Sequence, residues 1–122
     1  MLSLSRLLKS FYNAGQGLKF VFKSEQNFRV QIFIAIITFS LAIIFALYTW
    51  EIIVIMLLVL LVLIMEILNT AMEQLNDLLK PRLHHYVRVV KDIMAGAVFL
   101  TSLASLIIGL IIFLPHFINL LK

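Results

Sequence analysis

The 122-residue chain contains no cysteine. Disulfides, a thiolate nucleophile and every cysteine-based metal site are thereby excluded. Charge is sparse, at 13% of residues, and only six residues are acidic. Glycine occurs four times. The close pair Gly15 and Gly17 has no strand before it, so the phosphate-cradling loop of soluble nucleotide folds is absent. Proline occurs twice. Pro81 and Pro115 are each expected to end a helix. The adjacent His84-His85 has no third ligand beside it, so zinc is not expected.

What the chain has in abundance is apolar surface. The apolar fraction is 63% and the mean hydropathy +1.11, outside the range of soluble domains. The sequence predicts an all-α integral membrane protein of one domain, residues 1–122. The net charge of +4 would hint at nucleic acid in a soluble protein. Here the basic residues flank apolar spans, which points to anionic lipid headgroups and to no nucleic-acid partner.

Residues 1–27 read as an amphipathic surface helix and linker. Leu4, Leu7, Leu8, Phe11, Leu18 and Phe22 recur at helical spacing, while Arg6, Lys9, Asn13, Gln16, Lys19 and Lys23 fill the other faces. Such a helix lies in a membrane interface. Ser24 is expected to cap the next helix. A first span is predicted over 29–49, interrupted only by polar residues such as Gln31 and Thr38, with Tyr48 and Trp50 as interface anchors. Glu51 marks a short connection. The uncharged run 52–65 is roughly 21 Å of helix, too short to cross. The second span is therefore predicted over 52–72, continuing to about 79. A linker over 80–88 leads to a third span over 93–114.

Basic residues set the topology. Arg6, Lys9, Lys19, Lys23 and Arg29 precede span one, and Lys80, Arg82, Arg88 and Lys91 lie between spans two and three. The positive-inside rule then puts the N-terminus and second loop in the cytoplasm and the C-terminus outside. Glu25, Glu73, Asp77, Lys91 and Asp92 all face the cytoplasm together.

At about 100° per residue, Asn69, Thr70, Glu73 and Asp77 fall within about 60° of Glu66 on one helix face. A polar stripe leaving an apolar helix is costly in a membrane and marks a functional site. Glu25 and Glu73 make a hard-oxygen pair for Mg²⁺. Lys91 offers a point charge to phosphate oxygens. Asp77 and Asp92 suit a metal-bound water, a ribose or the lysine. Glu66, deepest of the acids, is placed to take a proton from a lipid hydroxyl. Phosphoryl transfer asks mainly for positioning and charge neutralisation, so the set points to a kinase acting on a lipid alcohol. The non-enzymatic reading is a small oligomeric channel or transporter subunit with Glu66 as its ion site, but the spans offer no continuous polar lining.

The motifs Glu25-Gln26-Asn27-Phe28-Arg29, Glu66-Ile67-Leu68-Asn69-Thr70-Ala71-Met72-Glu73-Gln74-Leu75-Asn76-Asp77 and Lys91-Asp92-Ile93-Met94-Ala95-Gly96-Ala97-Val98 resemble the bacterial integral-membrane diacylglycerol kinase and undecaprenol kinase family. The likeness runs from Arg6 to about Leu110. It implies three transmembrane helices behind an amphipathic helix, a homotrimeric bundle in the bacterial inner membrane, and active sites at subunit boundaries that take MgATP from the cytoplasm. Carried over, Glu66 matches the catalytic base, and Glu25 and Glu73 match the metal-binding carboxylates. Arg6, Asn13, Asn69, Asp77, His84, Lys91 and Asp92 match nucleotide-side positions, and Arg29 joins Glu66 on the lipid side. Diacylglycerol-using members tend to carry an acid where this chain has Gln31, so the resemblance leans toward undecaprenol.

Overall fold

A computed structural model of the chain describes residues 2–122. Those residues form four helices, α1 (Leu4–Ser24), α2 (Gln26–Ile44), α3 (Thr49–Leu79) and α4 (His84–Leu121), with no strand among them. The last three are each long and apolar enough to cross a membrane. The chain is thus a membrane protein with an amphipathic helix ahead of three spans. Along α1 only Val21 is buried, and the apolar stripe of Leu4, Leu7, Leu8 and Phe11 is exposed, as an interfacial helix requires.

A single extended residue, Glu25 (φ −113°, ψ 111°), separates α1 from α2. Ser24 is the last residue of α1 rather than a cap for α2. The backbone bends one residue later, so Glu25 takes the cap position without a side-chain cap bond. Arg29 Nη1 reaches back and donates to the carbonyls of Phe22 (2.7 Å) and Lys23 (2.9 Å). These belong to the last turn of α1, whose carbonyls have no helical partner. One guanidinium therefore fixes the angle at which the surface helix meets the first span.

At the other end of α2 the chain turns at residues 45–48, ahead of Glu51. Leu47 N–H donates to Ala42 O (3.0 Å) and Ala46 N–H to Ile43 O (3.1 Å). This is the Schellman arrangement, which needs a left-handed residue before the outgoing chain. Ala46 supplies it at φ 53°, where glycine would be less strained. Leu47 and Ala42 are both buried there, in a core with Ile55 and Ile112. Phe45 packs edge-on against Phe113 and Phe117.

Glu51 lies inside the first turn of α3 and is buried. Its Oε1 accepts from the Tyr48 backbone N–H (2.9 Å). The same carboxylate meets His116 Nε2 at 2.9 and 3.2 Å. This contact depends on α4 continuing past Pro115 to Leu121, where the sequence predicted a stop. A proline inside a helix removes only one N–H and its bond, and spanning helices tolerate that when neighbours support the turn. Here the support is the Glu51–His116 pair immediately beyond it.

Pro81 ends α3 as expected, but by a different route. Lys80 before it keeps helical dihedrals (φ −52°, ψ −45°). The ladder stops because Pro81 has no N–H to give, and Arg82 and Leu83 N–H groups close on Leu79 O instead. The turn is short, so the predicted linker over 80–88 is mostly helix, and α4 begins at His84.

Breaking the Glu51–His116 pair leaves a buried carboxylate with only the Tyr48 N–H as partner. His116→Leu is expected to lower unfolding free energy by about 3 kcal/mol. The double substitution Glu51→Leu with His116→Leu is expected to recover most of it. Denaturant unfolding in detergent measures both, and equal stabilities for the single variant and the wild type would refute the role.

Candidate active site

Glu66 lies fifteen residues beyond Glu51 on α3, about 22 Å along the axis, and Glu73 about 33 Å along it. The acid stripe therefore occupies the end of the bundle opposite the Schellman turn. Glu66 is 2% exposed and Thr70 1% exposed. Thr70 Oγ1 donates its proton to the Glu66 carbonyl (2.9 Å), which leaves the hydroxyl only its acceptor lone pairs. The Glu66 carboxylate accepts from Gln31 Nε2 of α2 at 3.3 Å. One turn further on, Asn69 Nδ2 donates to Glu73 Oε1 at 3.3 Å, an i,i+4 contact that steadies that carboxylate.

The one-residue break between α1 and α2 brings Glu25 to the same place. Its carboxyl sits against that of Glu73, close enough to share a proton, with Glu66 also within electrostatic reach. Burial, then the Glu73 charge and its hydrogen bond, then Glu66, hold Glu25 protonated above the ordinary glutamate range, and Arg29 partly offsets them. Three carboxylates, two from α3 and one from the junction of α1 and α2, thus come within electrostatic reach of one another.

Beside them lies a cleft of about 410 Å³ between the end of α3 and the start of α4. Glu73, Asn76 and Asp77 line one wall, and Lys80, His84, Arg88 and Lys91 the other. Helical spacing aligns the second wall: residues 84, 88 and 91 fall within about 60° on α4. Acid on one side and base on the other suits a ligand that carries phosphates with a divalent cation.

The structure brings together Glu25, Glu66, Asn69 and Glu73, and next to them Asp77, His84 and Lys91. It does not bring the rest to this point within one chain. Asp92 lies about 80° around α4 from His84, exposed and outside the cleft. Arg6 and Asn13 are exposed on α1 and make no side-chain hydrogen bond among the described residues. Arg29, expected on the lipid side, is committed to the α1 carbonyls. Three residues escaped the sequence reading as site residues. Asn76, buried in the cleft wall, falls about 80° off the Glu66 stripe on a helical wheel. Arg88 was assigned to a loop, which hid its alignment with His84 and Lys91. Gln31 carried the one available signal, an amide inside an apolar span.

The fold and this arrangement define a small helical membrane protein with clustered carboxylates and an acid–base cleft at one end of its bundle. The family model for prokaryotic diacylglycerol kinase matches residues 12–113. An undecaprenol kinase of Bacillus subtilis is 37% identical over 112 residues, 92% of this chain and 91% of its own length. A diacylglycerol kinase of Synechocystis sp. is 34% identical over 116 residues, 94% of this chain and 66% of its own length. One from Haemophilus influenzae is 34% identical over 108 residues, 88% of this chain and 89% of its own. No solved structure matches. The chain belongs to the prokaryotic diacylglycerol kinase family.

Because Glu25 is held protonated above the ordinary range, its contribution to stability is full below that range and is lost as pH rises through the raised value. Glu25→Gln cannot ionise. In the presence of chelator it is expected to melt higher than wild type at neutral and alkaline pH, with the two curves converging below about pH 4. A variant that melts no higher at any pH would contradict the crowding of these acids.

Proposed function

We propose that the protein is an ATP-dependent lipid kinase that transfers the γ-phosphoryl group of MgATP to the hydroxyl of a membrane lipid alcohol. Undecaprenol is the substrate we favour. The convergence of Glu25, Glu66 and Glu73 beside a basic cleft supports the reading most strongly. The undecaprenol kinase of Bacillus subtilis, similar along nearly its whole length, supports the choice of lipid, as does an amide at Gln31. Diacylglycerol is the second reading, since two relatives bear that name.

Glu25 and Glu73 would hold magnesium. They are hard-oxygen donors from separate segments, one steadied by Asn69, and magnesium takes one or two carboxylates and completes its shell with water and phosphate oxygens. When bound, the ion neutralises charge on the phosphates and keeps them beside the carboxylates. His84, Arg88 and Lys91 bind phosphate oxygens from the other wall, with Lys91 a point charge and Arg88 a forked donor. Asn76 and Asp77 position the nucleotide's polar end. Glu66 accepts the proton of the lipid hydroxyl as that oxygen bonds to the γ-phosphorus. The bond from phosphorus to the β–γ bridging oxygen breaks, and ADP leaves. The deep placement of Glu66 lets the alcohol stay in the hydrocarbon while its hydroxyl reaches the phosphate.

The same reading makes the protein a homotrimer in the bacterial inner membrane, with its N-terminus in the cytoplasm and its C-terminus outside. Arg6, Asn13 and Asp92 complete the site from a neighbouring copy. The exposed apolar faces of all three spans support such packing, as does the outward position of those three polar residues. The clustering of basic residues before span one and between spans two and three supports the orientation.

Incubating solubilised protein with labelled MgATP and, separately, undecaprenol and diacylglycerol tests the proposal, with undecaprenyl phosphate the expected main product. Glu66→Gln is expected to cut kcat by about 100- to 10,000-fold while nucleotide affinity stays unchanged. Chelating the metal is expected to abolish transfer. Labelled product in neither lipid, or full turnover in Glu66→Gln, would refute the reading.

A further inference from the structure

Gln31 stands near the start of α2, where its Nε2 donates to Glu66 Oε2 at 3.3 Å. The amide nitrogen faces Glu66, so the amide oxygen faces away from it. That oxygen, Gln31 Oε1, is buried and has no hydrogen-bond partner. Gln31 also lines a groove of about 480 Å³ between α2, α3 and α4, walled by apolar side chains such as Ile34, Leu58, Val62 and Leu106. A buried acceptor without a partner is costly and calls for an explanation. An acceptor beside the base, at the side of an apolar trough, is satisfied by a molecule that is greasy along its length and ends in a hydroxyl.

We propose that Gln31 is the positioning residue for the acceptor alcohol: one N–H holds the Glu66 carboxylate, and Oε1 accepts from the lipid hydroxyl. This rests on the lipid kinase reading above. Before transfer, the hydroxyl hydrogen points at Gln31 Oε1 and leaves the oxygen lone pairs free for phosphorus. As the new O–P bond forms, the proton passes to the Glu66 oxygen that the amide holds alongside. Gln31 neither gains nor loses a proton. It fixes where the donor and the base stand, which is the part of the barrier that orientation lowers.

The test uses the full chain in mixed micelles with undecaprenol and MgATP. Gln31→Met keeps the shape and removes both polar groups, so it fits an apolar span without strain. It is expected to lower kcat/KM for the lipid by about 10- to 100-fold, with KM for ATP and the affinity for a non-hydrolysable ATP analogue within about twofold of wild type. Gln31→Asn keeps both polar groups on a side chain one methylene shorter. It is expected to recover part of the lipid kcat/KM that Gln31→Met loses, a rescue that a merely structural role would not produce. A Gln31→Met variant with wild-type lipid kinetics overturns the inference and leaves the kinase reading standing. Loss of nucleotide affinity equal to the loss of lipid efficiency also overturns it. A wild-type protein that phosphorylates no lipid alcohol overturns both.

Discussion

Everything at the working end of this molecule depends on holding like charges together near a low-dielectric medium. Glu25, Glu66 and Glu73 stand within electrostatic reach of one another, and among the described residues the Arg29 cation offsets them at Glu25. Left to themselves, carboxylates at such a place separate or take up protons. Here rigid segments keep them in place. Glu66 and Glu73 ride on one uninterrupted helix, and Glu25 is fixed by a one-residue break that Arg29 clamps through the α1 carbonyls. The repulsion is what makes the cluster receptive to a divalent cation and its phosphate ligands in the proposed reaction.

The opposite end of the bundle provides the rigidity. The Schellman turn at Ala46, the Phe45 aromatic contacts and the Glu51–His116 pair tie α2, α3 and α4 to each other. The buried apolar core lies there too. The spans are joined firmly where no chemistry is proposed. The groove that Gln31 lines runs between α2, α3 and α4 from near the carboxylates to Ile55 and Phe113 at that core. That division of labour suits a site that must admit a lipid from the side and a water-soluble nucleotide from the end.

Periodicity and hydropathy made the surface helix and the three spans legible, because an apolar run of that length admits few alternatives. The acid stripe on α3 was legible for the same reason: a helical wheel needs only the spacing of Glu66, Asn69, Glu73 and Asp77. The rest required contacts between segments. His116 follows Pro115, and a reading that stops the helix at proline also discards the partner of Glu51. Arg88 becomes a neighbour of Lys91 only once the helix is known to begin at His84. Ser24 and Glu25 compete for the same cap, and the sequence alone does not say which residue bends. Gln31 marked only a lean toward one lipid in the sequence, and its amide is found beside Glu66 in the fold. Asp92 shows the reverse, since adjacency to Lys91 in sequence puts it on a different face of α4.

In the proposed reaction Glu25 and Glu73, far apart in sequence, form one metal-binding pair. Manganese in place of magnesium, followed by electron paramagnetic resonance with a non-hydrolysable ATP analogue present, measures this directly. Glu25→Gln and Glu73→Gln should each weaken manganese binding by about tenfold or more, and the double variant should bind no more tightly than either. Wild-type manganese affinity in both single variants would contradict the account.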